Sequence, residues 1–121
     1  MASQHRKHRG LRTQKLVADY LKERGWPFAE SAGSGRSGSD ITGTVDLAIE
    51  TKARSDLNPL AWVKQAEGAA DGRLPMAVFR CNGQGEDPSQ YLALLRFGDL
   101  VDLLHAAGYG DGQGDELGGD R

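Results

Sequence analysis

The sequence has a single cysteine in 121 residues. Cys81 therefore has no disulfide partner within its own chain, and a reducing, cytoplasmic setting is the expectation. No apolar run approaches the roughly 18 residues that a membrane span needs; the longest, near positions 74–79, suits a buried strand, so no membrane partner is expected. The basic N-terminus lacks an apolar h-region, which argues against a signal peptide. His5 and His8 have no further cysteine or histidine nearby to complete the roughly four ligands zinc requires, and His105, near the end of the last helix, suits its dipole in a structural role. No repeat or linker divides the chain, and its length suits one domain that can bury a core without disulfides or a structural metal.

The first fifteen residues contain no acid at all, yet hold Arg6, Lys7, Arg9, Arg12 and Lys15. Residues 1–64 carry 11 Lys/Arg against 7 Asp/Glu, whereas residues 65–121 carry 4 against 10. The net charge of −2 is thus an average over unlike halves. A basic arm over residues 1–10 can meet phosphate backbones through counterion release, although a merely solvated start has the same composition. From Tyr109 the chain has five glycines and four acids in 13 residues. That segment, 109–121, is expected to be a disordered acidic tail behind a single domain of residues 1–108.

Leu16, Val17, Tyr20 and Leu21 recur at helical spacing and predict a helix over about 11–24, ended by Gly25 and Pro27. A short strand is expected at 28–31 and a Ser/Gly-rich loop from 31 to 39. Two strands, 40–42 and 45–52, then read as a hairpin joined at Gly43-Thr44. Asn58-Pro59 opens a helix as N-cap and first helical residue, and Gly72 closes it. Strands follow at 75–80 and 91–96 around a loop at 82–89. Leu100, Val101, Leu103, Leu104 and Ala107 mark a last amphipathic helix, closed by Gly108. The order α-β-β-β-α-β-β-α predicts an α/β fold with a mixed β-sheet flanked by helices.

The chemistry-bearing pattern is Asp40, nine intervening residues, then Glu50-Thr51-Lys52. Glu50 and Lys52 are two apart on a strand, so both side chains leave one face, which Asp46 shares. A three-residue turn at 42–44 pairs Asp40 with Asp46 and brings Asp40 to that face. A two-residue turn pairs Asp40 with Leu47 and turns it away, unless a bulge intervenes. Clustered carboxylates suit Mg²⁺, with Mn²⁺ as substitute, which polarise a phosphoryl oxygen and acidify a bound water. A neighbouring lysine can offset charge developing in the transition state. Alone, an E-x-K tripeptide is also an ordinary surface ion pair.

The run Arg9-Gly10, Gln14, Glu23-Arg24-Gly25-Trp26, Ser31-Ala32-Gly33-Ser34-Gly35, Ser39-Asp40-Ile41 and Ile49-Glu50-Thr51-Lys52 resembles the PD-(D/E)XK nuclease superfamily. More narrowly it is similar to the archaeal-type Holliday-junction resolvases, over residues 6–54 and in their order. The resemblance implies a restriction-endonuclease-like core and a metal-dependent endodeoxyribonuclease that resolves four-way junctions. It implies a homodimer, as two symmetric cuts also require. It implies Asp40 and Glu50 as metal ligands with the Thr51 carbonyl, and Lys52 as the catalytic lysine. It sets Ser31 and the glycine loop to Ser39 against DNA.

Three positions depart from the pattern. Gln14 stands where those resolvases carry a metal-supporting glutamate, which Glu30 or Asp46 would have to replace. The 40–50 hairpin is short for the family, and Ser39 stands for its proline. Gln14 also motivates a DNA-binding module with a decayed metal site, while the same chemistry could serve nicked, linear or sequence-specific duplexes.

Gly33 to Gly38 matches G-x-G-x-x-G but leads into a strand rather than a helix, so no nucleotide cofactor is expected. Backbone N–H groups and the side chains of Ser34 and Arg36 in that loop suit phosphate contacts instead. Arg54 and Lys64 are further candidate DNA contacts, Gln65 a candidate helper at the metal site, and Trp62 a core residue.

Overall fold

The computed structural model describes residues 2–33 and 38–111, with side chains from His8 onward. Helix α1 (Ala2–Lys22) leads to strands β1 (Glu30–Ser31), β2 (Ile41–Thr42) and β3 (Leu47–Lys52). Helix α2 (Pro59–Gly68), strands β4 (Leu74–Phe79) and β5 (Leu92–Leu94) and helix α3 (Phe97–Ala106) complete the chain. Three helices thus accompany a two-stranded and a three-stranded sheet, in the expected order.

The larger sheet has the order β3-β4-β5. β3 and β4 are parallel, with Glu50 opposite Ala77 and Lys52 opposite Phe79, and α2 is the crossover between them. β5 closes the sheet antiparallel to β4. On one face Ile49 and Leu47, with Met76 and Val78, pack against Val17 and Leu21 of α1. On the other, Ala77 and Phe79 pack on Trp62 of α2, whose ring centroid lies 4.8 Å from that of Phe79. Trp62 is therefore a core residue, as its place on the helix predicted. Cover on both faces explains why β3 is buried from Ala48 to Thr51, a carboxylate included.

Several boundaries differ from expectation. α1 begins at Ala2, so residues 2–10 of the expected basic arm are the start of a helix rather than a separate lead. Gly10 is the most helix-weakening residue there, at about 1 kcal/mol, too little to stop propagation. At its other end Gly25 has φ 121° and the Trp26 N–H returns to the Leu21 carbonyl, the glycine closure the sequence predicted. Asn58 occupies the cap position of α2 without a side-chain cap bond, and the helix stops at Gly68, short of Gly72.

The hairpin between β2 and β3 is not formed. β2 pairs antiparallel with β1, Ser31 opposite Ile41. Gly43 lies against the segment before β1: its φ is 77°, and a Cβ there would clash with the Phe28 carbonyl oxygen. The chain turns through 44–46 instead, with Thr44 bonding Leu47 at both its carbonyl and hydroxyl and Val45 left exposed. Neither expected register for Asp40 occurs; its N–H donates to the Ile49 carbonyl at 3.0 Å. Among the described residues no helix is long and apolar enough to cross a membrane.

Candidate active site

The Asp40–Ile49 bond sets the site. It brings Asp40 alongside the C-terminal half of β3, where its Oδ2 accepts from the Thr51 N–H at 2.8 Å and the Thr51 hydroxyl at 3.3 Å. The Ala32 N–H holds the Asp40 carbonyl from the other side at 2.8 Å. Asp40 is thereby tied to β1 and β3 together. Peptide direction alternates along β3: the Asp46 and Lys52 carbonyls accept from residues 74 and 80 beside β4, and the Ile49 carbonyl faces Asp40. The Thr51 carbonyl, in step with Ile49, points to the Asp40 side as well.

Glu50 is 2% exposed, the most costly kind of residue to bury. Burial pushes its carboxyl up to about 7, the charge of Asp40 and a hydrogen bond to Asp40 push the same way, and Lys52 opposes them. Two acids held in contact inside the protein form a site of concentrated negative potential that one cation would relieve. The donor set is all oxygen: Asp40, Glu50 and the Thr51 carbonyl. Such donors fit Mg²⁺ or Mn²⁺. Among the described residues no three Asp, Glu, His or Cys side chains gather, so any ion here relies on two carboxylates, carbonyls and water.

Lys52 leaves β3 on the α2 side, and its Nζ donates to Gln65 Oε1 at 2.8 Å. Gln65, the candidate helper on that helix, is thus in direct contact with Lys52. Lys64, one residue earlier, is exposed and lies in the electrostatic reach of Glu67. Beside Thr51 and Lys52 opens a cleft of about 750 Å³ lined by Arg9, Arg54, Ser55 and Asn82 among others. Arg9 Nη2 also donates to the Cys81 carbonyl at 3.0 Å, and Arg54 pairs with Asp56 at 3.0 Å. Asn82 and Ser55 were not singled out from the sequence. Asn82 has no local signal, because only the β3–β4 pairing carries it to the cleft.

Other candidates are drawn elsewhere. Asp46 accepts from the Trp26 indole at 2.9 Å, at the far end of β3 from Lys52. Glu30 pairs with Lys22 at 2.9 Å. Both are held by partners of their own, and among the described residues neither joins Asp40 and Glu50 in a group of three acids. Gln14, 9% exposed, accepts from the Ser31 hydroxyl at 2.7 Å. Arg12 forms a two-pronged pair with Glu86 at 2.9 and 3.0 Å, so its charge is already met. The side chains of Arg6 and Lys7, and Ser34 and Arg36, lie outside the described residues, as does the tail beyond Asp111. No family model, curated protein or solved structure matches the chain.

Proposed function

We propose that the chain is a divalent-metal-dependent endodeoxyribonuclease that hydrolyses phosphodiester bonds in branched DNA, with a four-way junction as substrate. The observation that carries this reading is Asp40, bonded to Ile49 and Thr51 on either side of the buried Glu50, two residues before Lys52 on one strand. The resemblance of residues 6–54 to Holliday-junction resolvases supports it, as does a mixed α/β core in the matching order, read here as restriction-endonuclease-like.

In this reading Asp40, Glu50 and the Thr51 carbonyl hold the ion, which when bound polarises the scissile phosphate and acidifies a water. Thr51 keeps the Asp40 carboxylate oriented through two hydrogen bonds. Lys52, steered by Gln65, offers its ammonium to charge developing on the phosphate. Arg9, Arg54 and Asn82 line the adjoining cleft and would take the flanking backbone.

Gln14 favours a second reading, a DNA-binding protein with a weakened metal centre, because an amide stands where a third carboxylate would add charge. One experiment separates the two: incubation with a four-way junction and with matched linear duplex, in Mg²⁺ or Mn²⁺. The nuclease cuts the junction, and Lys52→Ala and Asp40→Asn abolish cutting while retaining binding. Salt-sensitive binding without cleavage by either metal supports the second reading. Full activity in either variant overturns the first.

A further inference from the structure

The loop between β4 and β5 carries a carboxylate that the fold does not need. Glu86 accepts from Arg12 of α1 at both its oxygens, at 2.9 and 3.0 Å, and each side chain is half exposed. An exposed ion pair of this kind adds little to stability. The loop has bonds of its own. The Gln84 N–H donates to the Cys81 carbonyl at 3.0 Å, and the Gln84 amide accepts from the Cys81 N–H and donates to the Gln90 carbonyl, each at 2.7 Å. Asp87, the other acid of the loop, accepts from Ser89 at its N–H and its hydroxyl. Around Glu86 the charge is positive. Arg9, one turn before Arg12 on α1, lines the cleft beside Lys52 and donates to the Cys81 carbonyl at 3.0 Å. Arg80, 8% exposed, donates to neutral oxygens, Thr13 Oγ1 at 3.3 Å and the Gln84 carbonyl at 3.2 Å. The bond from Arg12, and then the charges of Arg12 and Arg80, hold the Glu86 carboxyl below its usual range, so it is ionised at neutral pH.

We propose that Glu86 holds the place of a DNA phosphate: the track that begins at Arg9 beside the cleft continues along α1 to Arg12, and an incoming backbone displaces Glu86 from that arginine. With DNA as the substrate, as the nuclease reading on which this rests has it, Glu86 is a built-in brake on binding. Arginine pairs with a carboxylate and with a phosphate through the same two-pronged geometry, so one replaces the other without reorienting the guanidinium. Arg9 and Arg12 are three residues apart, about 4.5 Å along the helix axis. Phosphates of one strand recur about every 3.4 Å of duplex axis, so a backbone that meets the first arginine reaches the second. The displaced carboxylate returns to water at little cost, because half of it is exposed already. Arg80 stays in place and keeps the vacated site positive. A polyanion also releases condensed counterions when it binds, which a single carboxylate does not, so DNA wins the exchange at low salt and loses it at high salt.

Fluorescence anisotropy of a labelled four-way junction, titrated with the full chain in EDTA over a salt series, tests this without cleavage. Glu86→Gln is expected to bind about fivefold to tenfold tighter than the parent near 0.1 M salt, and to steepen the dependence of log K on log salt by about 0.9. Its melting temperature is expected to match the parent's, because the loop keeps its own bonds. Arg12→Gln is expected to weaken binding, and in that background Glu86→Gln is expected to give no further gain. A parent that binds while Glu86→Gln changes neither affinity nor slope overturns the proposal and leaves the nuclease reading standing. A gain that persists in the Arg12→Gln background is general repulsion between Glu86 and DNA, and overturns it too. So does Arg12→Gln with unchanged affinity, which decides the case in which Glu86→Gln does not fold. A parent that binds no DNA overturns the nuclease reading and this proposal with it.

Discussion

Lys52 Nζ donates to Gln65 Oε1 at 2.8 Å, so the charged end of β3 is oriented from α2. A lysine side chain has about 2 kcal/mol of rotamer entropy to lose, and a fixed acceptor restricts where the ammonium spends its time. Gln65→Ala removes that acceptor from an exposed position, where the cost to folding is within about 0.5 kcal/mol. The expected outcome is a fall in kcat of about tenfold on junction DNA, with KM and the melting temperature unchanged. Steady-state cleavage kinetics check this, and an unchanged kcat would remove Gln65 from the mechanism.

Glu50 makes the stability of the metal-free protein depend on pH. Its carboxyl is raised from 4.5 to about 7 by burial first and by Asp40 second. Below pH 4.5 the group is protonated whether the chain is folded or not, and the shift costs nothing. Between 4.5 and 7 the folded state keeps a proton that the unfolded chain releases, so stability falls as pH rises, by up to about 3 kcal/mol once above 7. Glu50→Gln keeps the shape without the charge and is expected to lose that slope, becoming more stable than the parent at pH 8. Urea midpoints at pH 5 and pH 8, for both proteins without metal, measure the difference. Equal slopes would show that Glu50 is solvated.

Gly43 is held by a contact rather than by turn chemistry. Alanine there must adopt a φ of 77° and place a Cβ 1.9 Å from the Phe28 carbonyl oxygen. Both demands act against the same short segment that delivers Asp40 to β3. Gly43→Ala is expected to cost more than about 2 kcal/mol by chemical denaturation. Because Phe28 must shift, metal binding is expected to weaken even where the chain still folds. A variant as stable as the parent would contradict the close approach.

That glycine also shows where sequence reasoning stops. Gly43-Thr44 between two apolar alternations carries the local marks of a hairpin turn, and only the distant Phe28 carbonyl reveals why glycine is needed. The element order was legible because Gly25, Pro27 and Pro59 punctuate it and because residues 45–52 alternate between two faces. Glu50 and Lys52 on one face followed from period two alone. Asp40 joined them through a single backbone bond to Ile49, which no spacing rule anticipates. The partners of Glu30, Asp46 and Arg12 escaped notice for the same reason: Lys22, Trp26 and Glu86 are neighbours in space, set by packing. The apolar stripe of α3 was visible, but periodicity states only that a face is apolar, not what covers it.

Gln14 permits a prediction with two opposed signs. Its amide oxygen accepts from the Ser31 hydroxyl in a position 9% exposed. Glu in its place keeps the length and the acceptor but adds a buried negative charge on the element packed against β1. Without metal that charge is unpaired, and Gln14→Glu is expected to destabilise the fold by about 1–3 kcal/mol. If Gln14 borders the ion held by Asp40 and Glu50, the added carboxylate tightens binding, and saturating Mg²⁺ then returns stability in proportion to the gain in affinity. A residue that only packs predicts the loss without the recovery. Urea denaturation with and without Mg²⁺, together with Mn²⁺ titration calorimetry in the absence of DNA, reads both effects. Destabilisation that Mg²⁺ does not repair would place Gln14 outside the metal shell and leave Ser31 as its sole purpose.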